Sequence, residues 1–378
     1  MREIEQSFSV AYRYPVVFTR GSLDVTNPTL RDVFGRAGSG PHRVLALVDS
    51  NALAGNPTLP DRLSAYAAAH PDLLEPIPEP YVLAGGEDCK TDLAWLPEVH
   101  DLMAERGICR HSFVIAIGGG SVLDAAGYAA ALAHRGVRLL RLPTTVLAQN
   151  DAGIGVKNAV NFRQRKNFAG TFVPPFAVIN DLDFLATLDA RDRRAGIAEA
   201  VKVALIKDGS FFEALYAGRE ALGRFDAQAM EEMIVRCAEL HLEHIRTSGD
   251  PFELGSARPL DFGHWSAHKL EELSDYELRH GEAVAIGIAI DALYCSRKGM
   301  IDDSDCVRIH ELLEALGFEL FHPALARLDI EAALDDFRVH LGGELCLCLL
   351  EGIGRAVDVG TIDLDRMRSC VDELSARS

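Results

Sequence analysis

The sequence has little positive charge. It contains 38 lysines and arginines against 56 aspartates and glutamates, which gives a formal net charge of −18 at pH 7. Nucleic-acid backbones and anionic lipid surfaces are bound by clustered cations and repel an acidic surface. We therefore expect no nucleic-acid partner and no membrane partner.

Long apolar runs and a leader-like start are also missing. No stretch approaches the roughly 18 consecutive apolar residues of a membrane span. Residues 1–10 are polar and acidic, without an apolar core or a cleavage-like site. These absences predict a soluble cytoplasmic protein.

Cysteine pairs with the spacing of metal or redox motifs are absent as well. The eight cysteines are spread over nearly the whole chain without a CxxC pair, and the chain is long enough to fold without disulfides. Cys346 and Cys348 alternate with leucines at 345–350, as in a strand with both thiols on one face. We expect all eight cysteines to be reduced, and a packing role for this pair.

Composition and pattern predict two domains. With 48% hydrophobic and 25% charged residues, the 378-residue chain resembles an ordinary globular protein with an ample core. Up to about residue 190, short runs rich in Val, Ile and Leu alternate with helical stretches, which suits buried parallel strands joined by helical crossovers. These runs lie at 43–48, 81–83, 113–117, 138–142 and 176–179.

The pattern after residue 190 is mainly helical. Apolar residues recur with a helical period, and one short hairpin is expected at 345–359. We predict an α/β nucleotide-binding domain over 1–190, a helical metal- and substrate-binding domain over 191–378, and a cleft between them. The helical stretches lie at 221–245, 263–272, 281–296 and 304–316.

A glycine turn indicates a nucleotide site. At 114–124, an apolar strand enters three glycines and then a helix of small residues. Glycines let the backbone approach a pyrophosphate, and the helix N-terminus attracts its charge. The spacing is not GxGxxG, so a tight turn without a ligand remains the alternative. Asp49 and Asn51 follow the first strand, where ribose hydroxyls can bind, and Thr144 and Thr145 offer hydroxyls at a later strand end.

Histidines and a carboxylate indicate a metal site in the second half. His264 and His268 are four residues apart on one helical face, and His280 opens the next helix. Glu199 lies three residues before Lys202. Neutral imidazoles with one carboxylate form a three-ligand set that leaves a coordination position open. Spacing alone would pair His264 with His268, and packed or exposed histidines remain the alternative.

Lysines and polar residues in the middle of the chain form another group. Most of them lie near glycines and follow a strand end, which favours a phosphate-binding pocket over a solvated charged face. The group consists of Asp151, Lys157, Lys166, Asn167 and Lys202.

Seven segments, in order, resemble 3-dehydroquinate synthase and the wider sugar phosphate cyclases. The resemblance extends over about residues 43–360, and the set is specific although GGGS-like turns also occur in related iron-dependent alcohol and glycerol dehydrogenases. The segments are GGGSVLDAAG, LPTTVLAQNDAGIGVKNAVN, KNFAGTF, INDLDFLATL, AGIAEAVK, LDFGHWSAH and RHGEAVAIG.

This resemblance implies NAD in the N-terminal domain and a divalent metal, Zn²⁺ or Co²⁺, on Glu199, His264 and His280. His268 then becomes a pocket residue and candidate proton-transfer partner instead of a ligand. The implied NAD positions are Asp49, Asn51, Glu87, Lys90, Gly119, Gly120, Ser121, Asp124, Thr144, Thr145, Lys157, Lys166, Leu185 and Thr187.

The implied substrate positions bind a small phosphorylated sugar. Arg135 matches an arginine that reaches the phosphate of a neighbouring subunit, so a homodimer is implied. Arg338 or His340 stands in for the family's late phosphate-binding lysine. The remaining positions are Asp151, Lys157, Asn167, Lys202, Asp261 and His268.

Several departures bear on the substrate. Asp261 stands where dehydroquinate synthases have asparagine, and Ala257, followed by Arg258, stands where they have arginine. Their carboxylate-binding lysine aligns near Glu243. A substrate carboxylate facing these acids would be poorly paired, so the resemblance favours a neutral heptulose phosphate.

The motif RPLDFGHW and residues 337–343 resemble the branch that uses sedoheptulose 7-phosphate. 2-epi-5-epi-valiolone synthases usually have proline at the position of His268. A histidine at this position resembles instead the 2-epi-valiolone synthases and the cyclases of Ebo-type operons. The implied activity is a phosphate-eliminating lyase that forms a valiolone-type C7 cyclitol, with 2-epi-valiolone favoured. A 3-dehydroquinate synthase and a metal-dependent NAD polyol dehydrogenase of the glycerol type are the alternatives.

Overall fold

The computed structural model describes residues 2–163, 165–254, 260–340 and 343–376. The chain forms two compact units, one of Met1–Pro143 with Val156–Asp181 and the other of Thr144–Gly155 with Leu182–Ser378. The second unit therefore takes a short segment from the first half of the chain. Among the described helices, none has both the length and the hydrophobicity to cross a membrane.

The first unit is built on a six-stranded parallel sheet with the order β1-β8-β5-β4-β2-β3. Strands β2 and β4 are buried at every position, which explains their continuous apolar sequences. The strands are β1 (Val16–Thr19), β2 (Val44–Asp49), β3 (Tyr81–Leu83), β4 (Phe113–Gly118), β5 (Arg138–Pro143) and β8 (Ala177–Asp181).

An antiparallel hairpin, β6 (Lys157–Phe162) and β7 (Arg165–Phe172), also belongs to the first unit. The guanidinium of Arg141 on β5 is completely buried and anchors it, donating Nη2 hydrogen bonds to the Lys157 carbonyl at 2.8 Å and to Asn158 Oδ1 at 2.7 Å. The unit's helices are α1 (Pro28–Gly35), α2 (Ser50–Gly55), α3 (Leu59–Ala69), α4 (Asp88–Thr91), α5 (Trp95–Glu105) and α6 (Gly120–Leu132).

The second unit is mainly helical, with one antiparallel hairpin of β9 (Leu347–Gly352) and β10 (Arg355–Val359). Its helix α11 is buried along nearly its whole length, so the other helices pack around it. The helices are α7 (Ala190–Lys207), α8 (Gly209–Gly223), α9 (Ala227–Thr247), α10 (His264–Leu273), α11 (His280–Arg297), α12 (Asp303–Ala315), α13 (Ile330–His340) and α14 (Leu364–Ser375).

The predicted helix over 221–245 is wrong at its start. Helix α8 ends at Gly223, and Asp226 caps α9 by accepting the backbone N–H groups of Gln228 and Ala229. Phe225, between the two helices, has φ 58°. The apolar period continues across this turn, so periodicity alone did not reveal the break.

All eight cysteines are free thiols in the structure, as predicted. Cys348 is buried in β9, whereas Cys346 precedes the strand and is half-buried. The strand is therefore shorter than the alternating run that suggested it.

Candidate active site

Three helices of the second unit bring Glu199, His264 and His280 together. Glu199 lies in the buried centre of α7, His264 is the first residue of α10, and His280 is the first residue of α11. Glu199 Oε1 is 3.5 Å from His264 Nε2 and 3.4 Å from His280 Nε2. One ligand atom from each residue lies within 4.8 Å of the others, a separation that suits a shared metal ion.

The second ring nitrogen of each histidine has its own contact. His264 Nδ1 lies 3.2 Å from the carbonyl oxygen of Phe262, and His280 Nδ1 lies 3.1 Å from Glu271 Oε2. Donation from Nδ1 leaves the Nε2 lone pair of each ring for a metal, which is the usual arrangement around metal-bound histidine. Sequence reasoning missed Glu271, which is buried on the α10 face that also carries His264 and His268.

Two glycines permit this close packing. Gly263 has φ 77°, and a Cβ there would lie 2.6 Å from the backbone nitrogen of Ile288 in α11. A Cβ on Gly281 would overlap the carbonyl of Ala195 in α7. The helices can therefore approach through backbone contact only with glycine at these positions.

The pKa values of Glu199 and His264 favour the binding of a cation. Burial raises the pKa of Glu199, but Lys202 and His280 lower it by more, so that it falls to about 2. Burial, together with the charges of Lys202 and His280, lowers the pKa of His264 well below its usual value. An ionised Glu199 carboxylate and a neutral His264 imidazole have the protonation states that a divalent metal requires of its ligands.

A metal fits this donor set. The carboxylate of Glu199 is completely buried, and its ionic partners among the described residues are Lys202, His264 and His280. Two imidazole nitrogens and one carboxylate oxygen are the ligand types of open, catalytic zinc sites. The described residues offer a second group, His268, Glu271 and His280, within the same distance limit. Neither group contains both His264 and His268, the pair that their spacing suggested.

His268 nevertheless lies beside the metal group. Its ring centroid is 5.5 Å from that of His264 and 6.0 Å from that of His280, and it stacks on the latter ring. The side chain is half-buried. His268 therefore lies among the candidate ligands.

Lys202 and two acidic residues complete this cluster. Lys202 forms an ion pair with Glu199. Burial lowers the pKa of Lys202, but Glu199, Asp151 and Asp261 raise it above its usual value, so the ammonium group stays charged. A charged lysine between carboxylates can donate hydrogen bonds to a polar ligand.

Asp151 has a partner that sequence reasoning missed. It lies in a π-helical turn, Ala148–Ala152, and its Oδ1 is 3.0 Å from His241 Nδ1 on α9. Glu243, by contrast, is about half exposed and pairs with Arg246 on the outside of α9. The expectation that Glu243 faces the substrate is therefore wrong. Position 241, two residues earlier, faces the cluster.

The glycine turn of the first unit is joined to the end of β2. Asp49 Oδ1 accepts the backbone N–H of Asn51 at 2.8 Å, and Asp49 Oδ2 accepts that of Gly119 at 3.3 Å. Gly119 caps α6, which begins at Gly120. The predicted nucleotide residues at the two strand ends therefore lie together, and Asp49 also stabilises the turn.

Six other predicted positions form a second cluster in this unit. Lys90 Nζ is 3.0 Å from Asp124 Oδ2 and contacts Asn167 Oδ1. Glu87 accepts a 3.0 Å hydrogen bond from Ser121 Oγ and lies 4.0 Å from Lys166 Nζ. Burial raises the pKa of Glu87, but Lys90 and Lys166 lower it by more. The cluster joins α4, α6 and the β6–β7 hairpin.

The remaining predicted positions lie elsewhere. Thr145 Oγ1 accepts the Ala148 N–H at 3.1 Å, and Thr187 Oγ1 donates to the Phe184 carbonyl at 2.9 Å. Arg338 is about half exposed and pairs with Asp335 at 3.2 Å. Thr144 is buried, Leu185 is half-buried, and Arg135 and Lys157 are exposed. Ala257, Arg258 and the side chain of His340 lie outside what the structure describes.

Together these features define a class of protein: a parallel α/β unit with a glycine turn, and a helical unit with a Glu–His–His group. Within that class, the chain belongs to the 3-dehydroquinate synthase family. The N-terminal family model, 3-dehydroquinate synthase N-terminal, matches residues 80–195, and the C-terminal model matches 196–338. The family and fold class inferred from the motifs are therefore confirmed.

Three relatives illustrate the range of the family. The chain is 36% identical to a 2-epi-5-epi-valiolone synthase from Streptomyces glaucescens, over 96% of this chain and 92% of that protein. It is 40% identical to a 3-dehydroquinate synthase from Xanthomonas oryzae pv. oryzae, over 79% of this chain and 81% of that protein.

The third relative is a solved structure, the 2-epi-5-epi-valiolone synthase ValA from Streptomyces hygroscopicus subsp. jinggangensis 5008, with NAD⁺ and Zn²⁺ bound. It superposes with a TM-score of 0.87 at 32% identity, covering 99% of this chain and 100% of that chain. The match therefore extends across both units.

Proposed function

We propose that this chain is a metal- and NAD-dependent sugar phosphate cyclase that converts sedoheptulose 7-phosphate into a valiolone-type C7 cyclitol, with 2-epi-valiolone favoured, and releases phosphate. The observation that carries the proposal is the Glu199–His264–His280 group, in which Glu199 and His264 are buried and Lys202 is paired to the carboxylate. The 2-epi-5-epi-valiolone synthases that match nearly the whole chain support it, as do the NAD⁺ and Zn²⁺ bound to one of them.

The cofactors and the protein's side chains would supply different parts of the chemistry. When bound, NAD⁺ supplies reversible hydride transfer, and the divalent metal, Zn²⁺ or Co²⁺, supplies polarisation of sugar oxygens. The overall conversion is redox-neutral: one phosphate leaves C7, and one carbon–carbon bond closes the ring. Glu199, His264 and His280 would hold the metal, and the residues around the glycine turn would hold NAD.

The protein's own groups would bind the sugar and move protons. Lys157, Asn167 and Arg135, with Arg338 or His340, would hold the phosphate, which an arginine fork or a lysine recognises by charge-assisted hydrogen bonds. Lys202, Asp151 and His268 would hydrogen-bond the hydroxyls and transfer protons. Arg135 would act across the interface of a cytoplasmic homodimer, as the family resemblance implies.

Charge favours a substrate without a carboxylate. Asp261 lies close enough to Lys202 to raise its pKa, so it adds negative charge to the cluster. A substrate carboxylate there would meet a like charge, which is unfavourable when both are desolvated. Asp261 is better suited to accept hydrogen bonds from hydroxyls near C1 and C2 of a neutral heptulose.

One comparison of substrates tests the proposal. The purified protein, supplied with NAD⁺ and Zn²⁺ or Co²⁺, is given sedoheptulose 7-phosphate or the carboxylated heptulosonate phosphate used by dehydroquinate synthases, and phosphate release is followed. We expect release from sedoheptulose 7-phosphate, with a C7 cyclitol identified by NMR. Release from the carboxylated sugar alone would make the chain a 3-dehydroquinate synthase, an alternative that the Xanthomonas relative supports.

A further inference from the structure

His241 occupies a position in α9 where the sequence pattern calls for an apolar residue. The buried residues of α9 recur at helical spacing, and position 241 lies three residues after the last of them. That face consists of Met230, Met233, Ile234, Cys237 and Ala238. An imidazole that continues an apolar stripe must be given a polar partner, because an unpaired buried ring is costly.

Asp151 is that partner. The separation between His241 Nδ1 and Asp151 Oδ1 is 3.0 Å, and the side chains are 16% and 25% exposed, so water reaches only part of each. This is an ion-pair distance, although Nδ1 makes no well-aligned hydrogen bond to a described residue. A carboxylate this close can select which ring nitrogen carries the proton once the two side chains align.

The turn that carries Asp151 is anchored to the metal-bearing helix. Asn150 Nδ2 donates a 2.9 Å hydrogen bond to the carbonyl of Gly196 in α7, three residues before Glu199. Cys237 Sγ, on the same face of α9 as His241, lies 3.8 Å from the carbonyl of Asn150. A π-helical turn often marks a functional position. This one joins α9 to α7 beside the candidate ligands.

Asp151 also interacts electrostatically with Glu199 and Lys202 of the candidate metal site. Burial raises the pKa of Asp151, but His241 lowers it by more, so the carboxylate stays ionised. The other ionisable groups that act on Asp151 are Glu199 and Lys202 from α7. The thiol of Cys237, next to them, has its pKa raised by burial and by these carboxylates, so it stays neutral.

We propose that His241 is a positioning residue for Asp151: when the sugar binds, its Nδ1–H aligns with the nearby carboxylate oxygen and donates to it, which aims the other oxygen at a hydroxyl of the sugar. The ionised oxygen then accepts a proton from that hydroxyl. Only the kinetic consequence of this assignment rests on the proposed cyclase function. The His241–Asp151 pair itself can be measured without turnover.

The kinetic test compares two substitutions of His241. His241→Asn keeps an N–H near the position of Nδ1, whereas His241→Leu removes the donor and keeps an apolar side chain. We expect His241→Leu to lower kcat for phosphate release at least about tenfold with KM changed much less, and His241→Asn to recover most of that loss. Glu243→Gln, on the exposed side of the same helix, is the matched control and should leave kcat unchanged.

Metal content and thermal unfolding of each variant show whether the site is intact. Wild-type kcat in His241→Leu would overturn the assignment. Equal losses in His241→Asn and His241→Leu, with metal and fold retained, would also overturn it.

A second measurement requires no substrate. The ring nitrogens of His241 are followed by ¹⁵N NMR at one fixed pH, with the signals assigned by their loss in His241→Asn. Because the neighbouring carboxylate selects which ring nitrogen carries the proton, we expect Asp151→Asn to move the Nδ1 signal. Unchanged Nδ1 and Nε2 signals in Asp151→Asn would refute the pair even if the protein is an active cyclase. A moved signal in a protein that releases no phosphate would instead refute the proposed function alone.

Discussion

The contacts at Nδ1 of His264 and His280 determine which nitrogen of each ring is available to bind a metal. Each Nδ1 is held by an oxygen, the Phe262 carbonyl for one and the Glu271 carboxylate for the other. The charged contact to Glu271 also raises the basicity of the His280 ring, which strengthens a bond from Nε2 to a cation. Glu271 thus influences the metal without being its ligand in the Glu199 group.

Glu271→Gln should therefore weaken metal binding by about 10- to 100-fold, because such outer partners typically contribute this much. Competition with a chromogenic chelator measures the affinity directly. Glu272→Gln is the matched control, since Glu272 is exposed and pairs with Lys269 on the outer side of α10. Equal affinities in Glu271→Gln and the wild type would contradict this role.

Removal of a ligand should have a larger effect. We expect His264→Ala to lose bound metal during dialysis while the exposed His111→Ala retains it, because only the former removes a donor atom. Elemental analysis of the dialysed proteins gives the result. Metal retained at wild-type stoichiometry in His264→Ala would show that the ion binds elsewhere.

Residue spacing alone could not select these ligands. Within α10 the four-residue spacing correctly put His264 and His268 on one face, but a ligand set also needs partners from other helices. Glu199 and His280 come from α7 and α11; both were candidates from the sequence, but only the family resemblance selected them over His268. His241 escaped notice because a single histidine in a helical pattern carries no signal until its neighbours in space are known.

At the scale of elements, Asp291 joins α11 to the start of α10. Its carboxylate is buried and accepts the backbone N–H of Gly263 and the indole N–H of Trp265, both at 2.9 Å. These two residues flank His264, so the contact fixes the first turn of the ligand-bearing helix. Burial raises the pKa of Asp291 to about 7, and the two hydrogen bonds offset only part of that effect.

This raised pKa predicts a pH dependence of stability. The folded protein keeps the Asp291 proton up to about pH 7, whereas the unfolded chain releases it near pH 4, close to the usual aspartate value of 3.8. Stability from this group is full below the lower value and is lost as pH rises toward 7. Urea unfolding at pH 5 and pH 7.5 should show a smaller decrease in Asp291→Asn than in the wild type. An identical decrease in both proteins would contradict the buried, protonated state.

Strands with mainly apolar sequences were predicted from the sequence, whereas a hairpin of mixed composition was not. Short runs rich in Val, Ile and Leu identified β2, β4, β5 and β8, because strands covered on both faces are mainly apolar. The run at 81–83 also identified β3, although this edge strand is only partly buried. The β6–β7 hairpin escaped because its sequence mixes lysine, asparagine and glycine with few apolar residues, and much of β7 is exposed. Its stability comes partly from the buried Arg141 on β5, a long-range contact that no local pattern reveals.

For the whole molecule, net charge and local charge have different meanings. The −18 balance describes the surface, which repels polyanions. The anionic cofactor and substrate proposed here would instead meet a few cations, among them Lys90, Lys166 and Lys202. Each of these has a carboxylate within 4.0 Å, so each is held at a defined position. The acidic surface is therefore compatible with small anionic ligands.

In the proposed cyclase, hydride transfer is internal to a phosphate-releasing cyclisation. The most direct test supplies the metal-loaded protein with sedoheptulose 7-phosphate and one equivalent of NAD⁺ per chain, and records phosphate and absorbance at the NADH band together. We predict many equivalents of phosphate with no net rise in NADH. Steady accumulation of NADH from an unphosphorylated polyol, with no phosphate from the sugar phosphate, would contradict the account and identify a polyol dehydrogenase.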